Sequence, residues 1–191
     1  MVWSCAVLNY QNIEFLKILL DQINSRYSSE SDLESLSQLT QASDWMRASK
    51  LELSFSSDIN VDHMEPRPSI ESSLETAVKN ALEVICSKYK LTWESEVELR
   101  AVHHWADFLL QSPQTGKKCV IEADGPHHYS DKRTFLGSSL LRNFLIQSEG
   151  YSLISLAHYE WSNFAGTSET VVYLEEKIRS CFQDELSAVA E

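Results

Sequence analysis

The feature that most constrains the fold is a short apolar run that ends in two carboxylates, CVIEAD at residues 119–124. Successive side chains alternate between the faces of a β-strand, so Glu122 and Asp124 point to the same face. Gly125 and Pro126 follow at once, and this dipeptide predicts a turn. The run therefore predicts a β-strand that carries two carboxylates on one face up to the turn that ends it.

The elements around this strand predict an α/β domain. A helix is expected from Ser69, because apolar residues recur there at helical spacing. Alternating or apolar segments at 92–99 and 102–110 predict two strands that form a β-meander with 119–124. A helix at 138–149 stopped by Gly150, a buried strand at 151–157 and a helix at 168–186 complete the order α-β-β-β-α-β-α.

The first part of the chain predicts helices instead. Apolar positions at helical spacing indicate a helix over 12–27, and Ser31 with Glu34 has the spacing of a capping box for the next one. The segment before them, VWSCAVLNYQN, is typical of a preceding helix. We predict a helical hairpin at 1–53, either the end of a helical-repeat array or a plain helical cap, a polar linker at 54–68, and an α/β domain at 69–191.

The charge of the chain limits how it could hold a nucleic acid. The net charge is −12, the wrong sign for a surface that grips phosphate everywhere. Between residues 113 and 147, however, five basic side chains face three acidic ones, so any nucleic-acid contact is expected to be local. The four cysteines have no metal-ligand spacing and predict reduced, buried thiols.

Three carboxylates raise the question of catalysis. If the second and third strands pair, Asp107 on the former meets Glu122 and Asp124 at one end of the sheet, where Mg²⁺ or Mn²⁺ could bind. A helix, a strand bearing Asp and a strand bearing Glu is the arrangement of the restriction-endonuclease-like (PD-(D/E)xK-type) core. Here Asp124 stands where that pattern has a lysine, and an ionised carboxylate there would repel phosphate.

Three interpretations of these carboxylates stay open. In the first, the chain is a metal-dependent nuclease that uses Asp107 and Glu122 as ligands, with Asp124 or His128 assisting. In the second, a carboxylate frame is retained without catalysis. In the third, the turn only ends a strand and the histidines are surface groups. A cofactor, Mg²⁺ or Mn²⁺, is expected only in the first case.

The segments IEADGPHHY and LGSSLLRNFLIQSEGYSLISLAHYEW resemble the RAP domain, an RNA-binding domain abundant in apicomplexans and also found in organellar RNA factors. The resemblance keeps order and spacing over about forty residues and covers about a third of the chain. The matching positions are Ile121, Glu122, Asp124, Gly125, Pro126, His128, Tyr129, Gly137, Ser138, Leu140, Leu141, Arg142, Gly150, Tyr151, Glu160 and Trp161.

The resemblance implies an RNA-binding module in organellar RNA metabolism, or on ribosomal RNA in a mitochondrial ribosome, with no cleavage required. Its RNA would be a transcript or rRNA in a mitochondrion or, alternatively, a plastid, within a ribonucleoprotein assembly and away from membranes. A different function, as a protein-interaction subunit of such an assembly, also remains open. Candidate RNA-binding residues are His127, His128, Lys132, Arg133, Arg142 and Lys118.

Overall fold

The structure is a computed structural model that describes residues 1–27, 33–64, 71–130, 133–164 and 167–183. Eleven helices and strands lie in these ranges. They are α1 (Val2–Val7), α2 (Ile13–Arg26), α3 (Leu33–Ala48), α4 (Ser73–Tyr89), β1 (Thr92–Leu99), β2 (His104–Gln111), β3 (Lys118–Asp124), α5 (Gly137–Ser148), β4 (Ser152–Ala157), α6 (His158–Trp161) and α7 (Thr167–Cys181). Short 3-10 turns lie at Arg100–Val102 and Pro126–His128.

Most predicted elements are confirmed within a few residues, and local signals explain their ends. Helix α2 starts where the Asn12 side chain accepts a hydrogen bond from the Phe15 amide, and α4 starts where Ser72 caps Glu75 in the same way. Gly150, at φ +85°, follows the end of α5, as expected of a residue that stops a helix. The predicted starts at Ser31 and Ser69 and the predicted end at Leu186 lie outside the described residues.

The chain divides into two compact units, each built from separate stretches of sequence. The first unit comprises Met1–Pro66, Glu98–His104 and Phe135–Glu149, and the second comprises Arg67–Val97, Trp105–Thr134 and Gly150–Glu191. The domain boundaries predicted at 53 and 68 remain a prediction. Among the described residues no helix is long and apolar enough to cross a membrane.

The first unit is helical, and α1, α3 and α5 pack on one another. Trp45 of α3 is fully buried, and its indole nitrogen donates a hydrogen bond to Asn9 at 3.1 Å. The approach of α1 to α5 is tight, because a Cβ added at Gly137 would lie 2.3 Å from Cγ1 of Val7. Phe55 and Ile59, from the predicted linker, are also buried.

The second unit contains a mixed sheet in the order β1-β2-β3-β4 with helices against it. Strand β3 pairs antiparallel with β2, with Phe108 opposite Ile121, and parallel with β4, with Asp124 opposite Ala157. Helices α4 and α7 contribute Val78, Leu82, Leu174 and Ile178 to the core on this sheet. The α/β class and the pairing of the second with the third predicted strand are therefore confirmed.

A charged cluster in the first unit explains why β2 begins two residues later than predicted. The turn before β2 ends at His103, whose backbone is left-handed at φ 47°. Its imidazole contacts Asp44 at 2.8 Å through Nδ1 and Asp62 at 2.9 Å through Nε2. Ionised carboxylates only accept hydrogen bonds, so these two contacts favour the imidazolium form, in which both ring nitrogens carry protons.

The pKa of His103 follows from these contacts. Burial alone would lower this pKa, but the hydrogen bonds to Asp44 and Asp62 outweigh burial and leave it raised. Burial raises the pKa of Asp44, while the hydrogen bond from His103 opposes the rise. Asp62 is almost fully exposed, so solvent screens its contribution and the buried Asp44 contact dominates.

We expect His103→Ala to lower the free energy of unfolding at pH 6 by about 1–3 kcal/mol, because buried Asp44 loses a donor. A raised histidine pKa stabilises the fold fully below the unfolded value of about 6.5, and this stabilisation is lost as pH rises through the folded pKa. The cost of the substitution should therefore be smaller at pH 9. Urea unfolding at both pH values checks this, with exposed His127→Ala as control. An equal cost at both pH values would contradict the assignment.

Candidate functional site

The carboxyl ends of two parallel neighbouring strands position the candidate site. Strands β3 and β4 end together, since Asp124 lies opposite Ala157. The 3-10 turn Pro126–His128 follows β3 directly, and α6 follows β4 directly. Loops that leave the carboxyl ends of parallel strands converge on the same edge of a sheet, where ligands of α/β folds commonly bind.

Three aromatic or imidazole rings meet at this edge and form what we call the ring cluster: Tyr129, His158 and Tyr159. The ring of Tyr129 lies 5.2 Å from that of Tyr159 and 5.8 Å from that of His158, and the last two are 5.3 Å apart. Tyr129 is buried, while His158 and Tyr159 are half-buried. Tyr129 thus supports two rings that remain partly accessible.

A cation covers one face of this cluster. The guanidinium of Arg133 lies 4.8 Å above the Tyr159 ring, within the range of a cation–π interaction. Arg133 itself is exposed, so the guanidinium can interact with an anion while its plane remains on the ring. A positive charge beside stacked rings can contact phosphate and base of one nucleotide.

The two histidines after β3 form a second pair of rings. The centroids of His127 and His128 are 4.1 Å apart, and His127 is exposed. Nδ1 of half-buried His128 lies 3.8 Å from Oδ1 of fully buried Asp124. A Cβ on Gly125 would come within 3.1 Å of the His127 ring, so the glycine leaves room for that ring. The prediction that Gly125 and Pro126 shape the turn is confirmed.

The two predicted metal ligands, Asp107 and Glu122, and the predicted assisting residue Asp124 have different surroundings in the structure. Asp107 accepts a hydrogen bond from the backbone amide of Ala123 at 2.7 Å, so it helps to hold β2 to β3. Glu122 and Asp124 are almost completely buried in β3. Within the described ranges no group of three or more His, Cys, Asp or Glu side chains could hold a metal ion. The three carboxylates thus share one end of the sheet without forming such a group.

The predicted RNA-binding residues do not all lie at this edge. His127, His128 and Arg133 do. Lys118 begins β3, and six residues of strand place it about 20 Å from Asp124. The guanidinium of Arg142, on α5, donates to the side chain of Asn143 at 2.9 Å and 3.1 Å, and a role for Arg142 in RNA binding stays a prediction. Lys132 lies outside the described residues.

Sequence reasoning missed His158 and Tyr159 as site residues and missed α6 altogether. The short helix HYEW has no periodicity that could reveal it, and its rings gain meaning only because β4 pairs with β3. The neighbouring Glu160 and Trp161 have structural contacts instead: Glu160 accepts a hydrogen bond from the Tyr173 hydroxyl, and Trp161 lies in the core. A His-Tyr pair directly after the second parallel strand was the available signal.

Known proteins resemble the part of the chain that carries this candidate site. Residues 121–177 match the protein family described as the RAP domain. The same region is similar to a RAP domain-containing protein, chloroplastic, of Oryza sativa subsp. japonica, with 39% identity over 59 residues. These residues are 30% of this chain and span only 9% of the rice protein. No solved structure matches the chain significantly.

We expect Asp107→Ala to reduce the free energy of unfolding by about 1–3 kcal/mol, because the Ala123 amide loses its acceptor. Asp107→Asn keeps a side-chain carbonyl oxygen that can accept the same hydrogen bond and should cost less. Chemical denaturation of both variants checks this difference. If the alanine and asparagine variants are equally stable, the contact to β3 contributes nothing measurable.

Proposed function

We propose that this chain binds single-stranded RNA at the carboxyl edge of β3 and β4, without cutting it. The observation that carries the proposal is the ring cluster of Tyr129, His158 and Tyr159 with Arg133 above it, inside the segment that matches the RAP domain. RAP domains are generally associated with RNA binding, so the family match supports an RNA-related role. The geometry adds a specific surface for that role.

The physical argument for single strands rests on stacking. Unpaired bases offer open faces to aromatic and imidazole rings, whereas the bases of a duplex are already stacked on each other. Stacking on rings does not depend on the net charge of the protein, which suits a chain of net charge −12. Arg133 and the histidine pair supply the local positive or polar contacts to phosphate.

The burial of the carboxylates favours a structural role for them rather than a catalytic one. A metal that activates water needs open coordination positions, and Glu122 and Asp124 are buried. Asp107 is engaged with the backbone of β3. A restriction-endonuclease-like origin of the sheet is part of this proposal, supported by the order of α4, β2 and β3 and by their carboxylates. The proposed binding through rings and cations needs no metal.

The plastid is the proposed cellular compartment. The rice relative is described as chloroplastic, which favours the plastid over the mitochondrion expected from the sequence. The matched region is a small part of that relative. That this chain acts on an organellar transcript or rRNA, together with protein partners, is therefore also a proposal.

A gel shift with labelled single-stranded RNA, over a range of salt concentrations with and without Mn²⁺, tests binding and cleavage together. We expect a salt-sensitive shift and intact RNA in both conditions. Tyr159→Ala should weaken binding by about five- to a hundredfold, the loss of one base–ring stack. Arg133→Ala should weaken it and reduce the dependence on salt by about one phosphate contact.

Lys118→Ala is the matched control for this experiment. Like Arg133→Ala, it removes one exposed positive charge, but from the start of β3, at the end of the strand opposite the ring cluster. If Lys118→Ala loses affinity for RNA while Tyr159→Ala and Arg133→Ala do not, the RNA binds somewhere other than the ring cluster. Cleavage that appears only with Mn²⁺ would replace the proposal with a metal-dependent nuclease.

A further inference from the structure

A groove on α7 remains unexplained by RNA binding. It has a volume of about 530 Å³. All of its lining residues belong to the second unit, and five of the six lie on α7. They are Phe164, Ser168, Glu169, Val172, Tyr173 and Glu176. We call this feature the α7 groove.

The floor of the α7 groove is apolar and held in place. The rings of Phe164 and Tyr173 lie 4.9 Å apart. The hydroxyl of Tyr173 donates to Glu160, and the ammonium of Lys177 lies 4.8 Å above the Tyr173 ring. Because the hydroxyl and the ring of Tyr173 both have partners, these contacts hold its ring in the floor of the groove.

The core of the second unit uses a different face of α7. Helix α7 already buries Leu174 and Ile178 in the core, on its other side. Val172 is nonetheless 56% exposed. Together with the rings of Phe164 and Tyr173, it gives the groove a mostly apolar lining, which is typical of a site that binds a ligand or partner.

The charges around the groove select the chemistry of that partner. Glu169 and Glu176 are both exposed lining residues, and seven residues of helix separate them by about 10 Å along α7. The two cations of α7, Lys177 and Arg179, are not among the lining residues, and Lys177 lies 3.9 Å from Glu160 and over the Tyr173 ring. The rim is therefore acidic, so it repels phosphate and attracts cationic side chains.

We propose that the α7 groove binds a basic amphipathic helix of a partner protein. Two apolar side chains of that helix would fill the space over Val172 and Tyr173, and lysine or arginine residues two turns apart would pair with Glu169 and Glu176. A second copy of this chain fits poorly, because each copy carries a net charge of −12. This inference is independent of RNA binding at the ring cluster.

Fluorescence anisotropy with a synthetic helical peptide tests the groove directly. The probe carries two adjacent leucines flanked by lysines two turns apart, and the control peptides replace either the leucines with serine or the lysines with glutamate. We expect saturable, salt-sensitive binding of the first peptide and at least about tenfold weaker binding of both controls. Equal binding of the probe and either control peptide, or no binding of the probe, would overturn the proposal.

Protein variants locate the binding. Glu169→Lys/Glu176→Lys and, separately, Val172→Ser should each weaken the probe by about tenfold or more, while the unfolding midpoint stays near that of the parent because these side chains are exposed. The matched control is Glu83→Lys/Glu94→Lys, which makes the same charge change at exposed positions of α4 and β1. If the control variant weakens peptide binding equally, the effect is due to net charge alone and the α7 groove is not the binding site.

Two other outcomes would assign the groove to a different ligand. Sedimentation that shows dimers of the parent and monomers of Val172→Ser would make it a self-association surface. Loss of RNA affinity in Val172→Ser, with the unfolding midpoint retained, would make it part of the RNA site. Either result contradicts a basic protein helix as the occupant.

Discussion

The parallel pairing of β3 with β4 is the constraint on which the rest of the second unit depends. Strand β3 is hydrogen-bonded on both edges, and every residue from Cys119 to Asp124 is buried. A shift of the β3 register by one residue would turn the side chains of Glu122 and Asp124 toward the apolar core. The side chains of Ile121 and Ala123 would then leave the core for the opposite face of the sheet. Because burying a carboxylate in apolar surroundings is costly, the carboxylates themselves help to enforce the register.

This register also creates the proposed RNA surface. It aligns the ends of β3 and β4, so that the turn after one strand and the helix after the other bring Tyr129 against His158 and Tyr159. Recognition through rings suits an acidic chain, because stacking works without the broad positive field that phosphate binding usually needs. The acidic rim of the α7 groove suits a different ligand. We propose that nucleic acid binds at the ring cluster and a cationic protein binds at the α7 groove.

Sequence patterns predicted the elements well and the site only in part. Periodicity located α2, α4, β1 and β3, since each has enough residues to repeat its pattern. The four residues of α6 cannot repeat a helical pattern, so that helix was missed. Lys118 was grouped with the histidines because it belongs to the locally basic segment of residues 113–147. Strand geometry separates Lys118 from them, because the six residues of β3 that follow Lys118 span about 20 Å.

The sequence by itself determined the α/β class, the two carboxylates on one face of β3, the turn at Gly125 and Pro126 and the likeness to the RAP domain, because each is encoded within a short stretch. Only the tertiary structure decided that Asp107 holds the Ala123 amide, that His103 bridges Asp44 and Asp62, and that His158 and Tyr159 join Tyr129. Such contacts join residues that are distant in sequence. They depend on strand pairing and helix packing, which local periodicity does not specify.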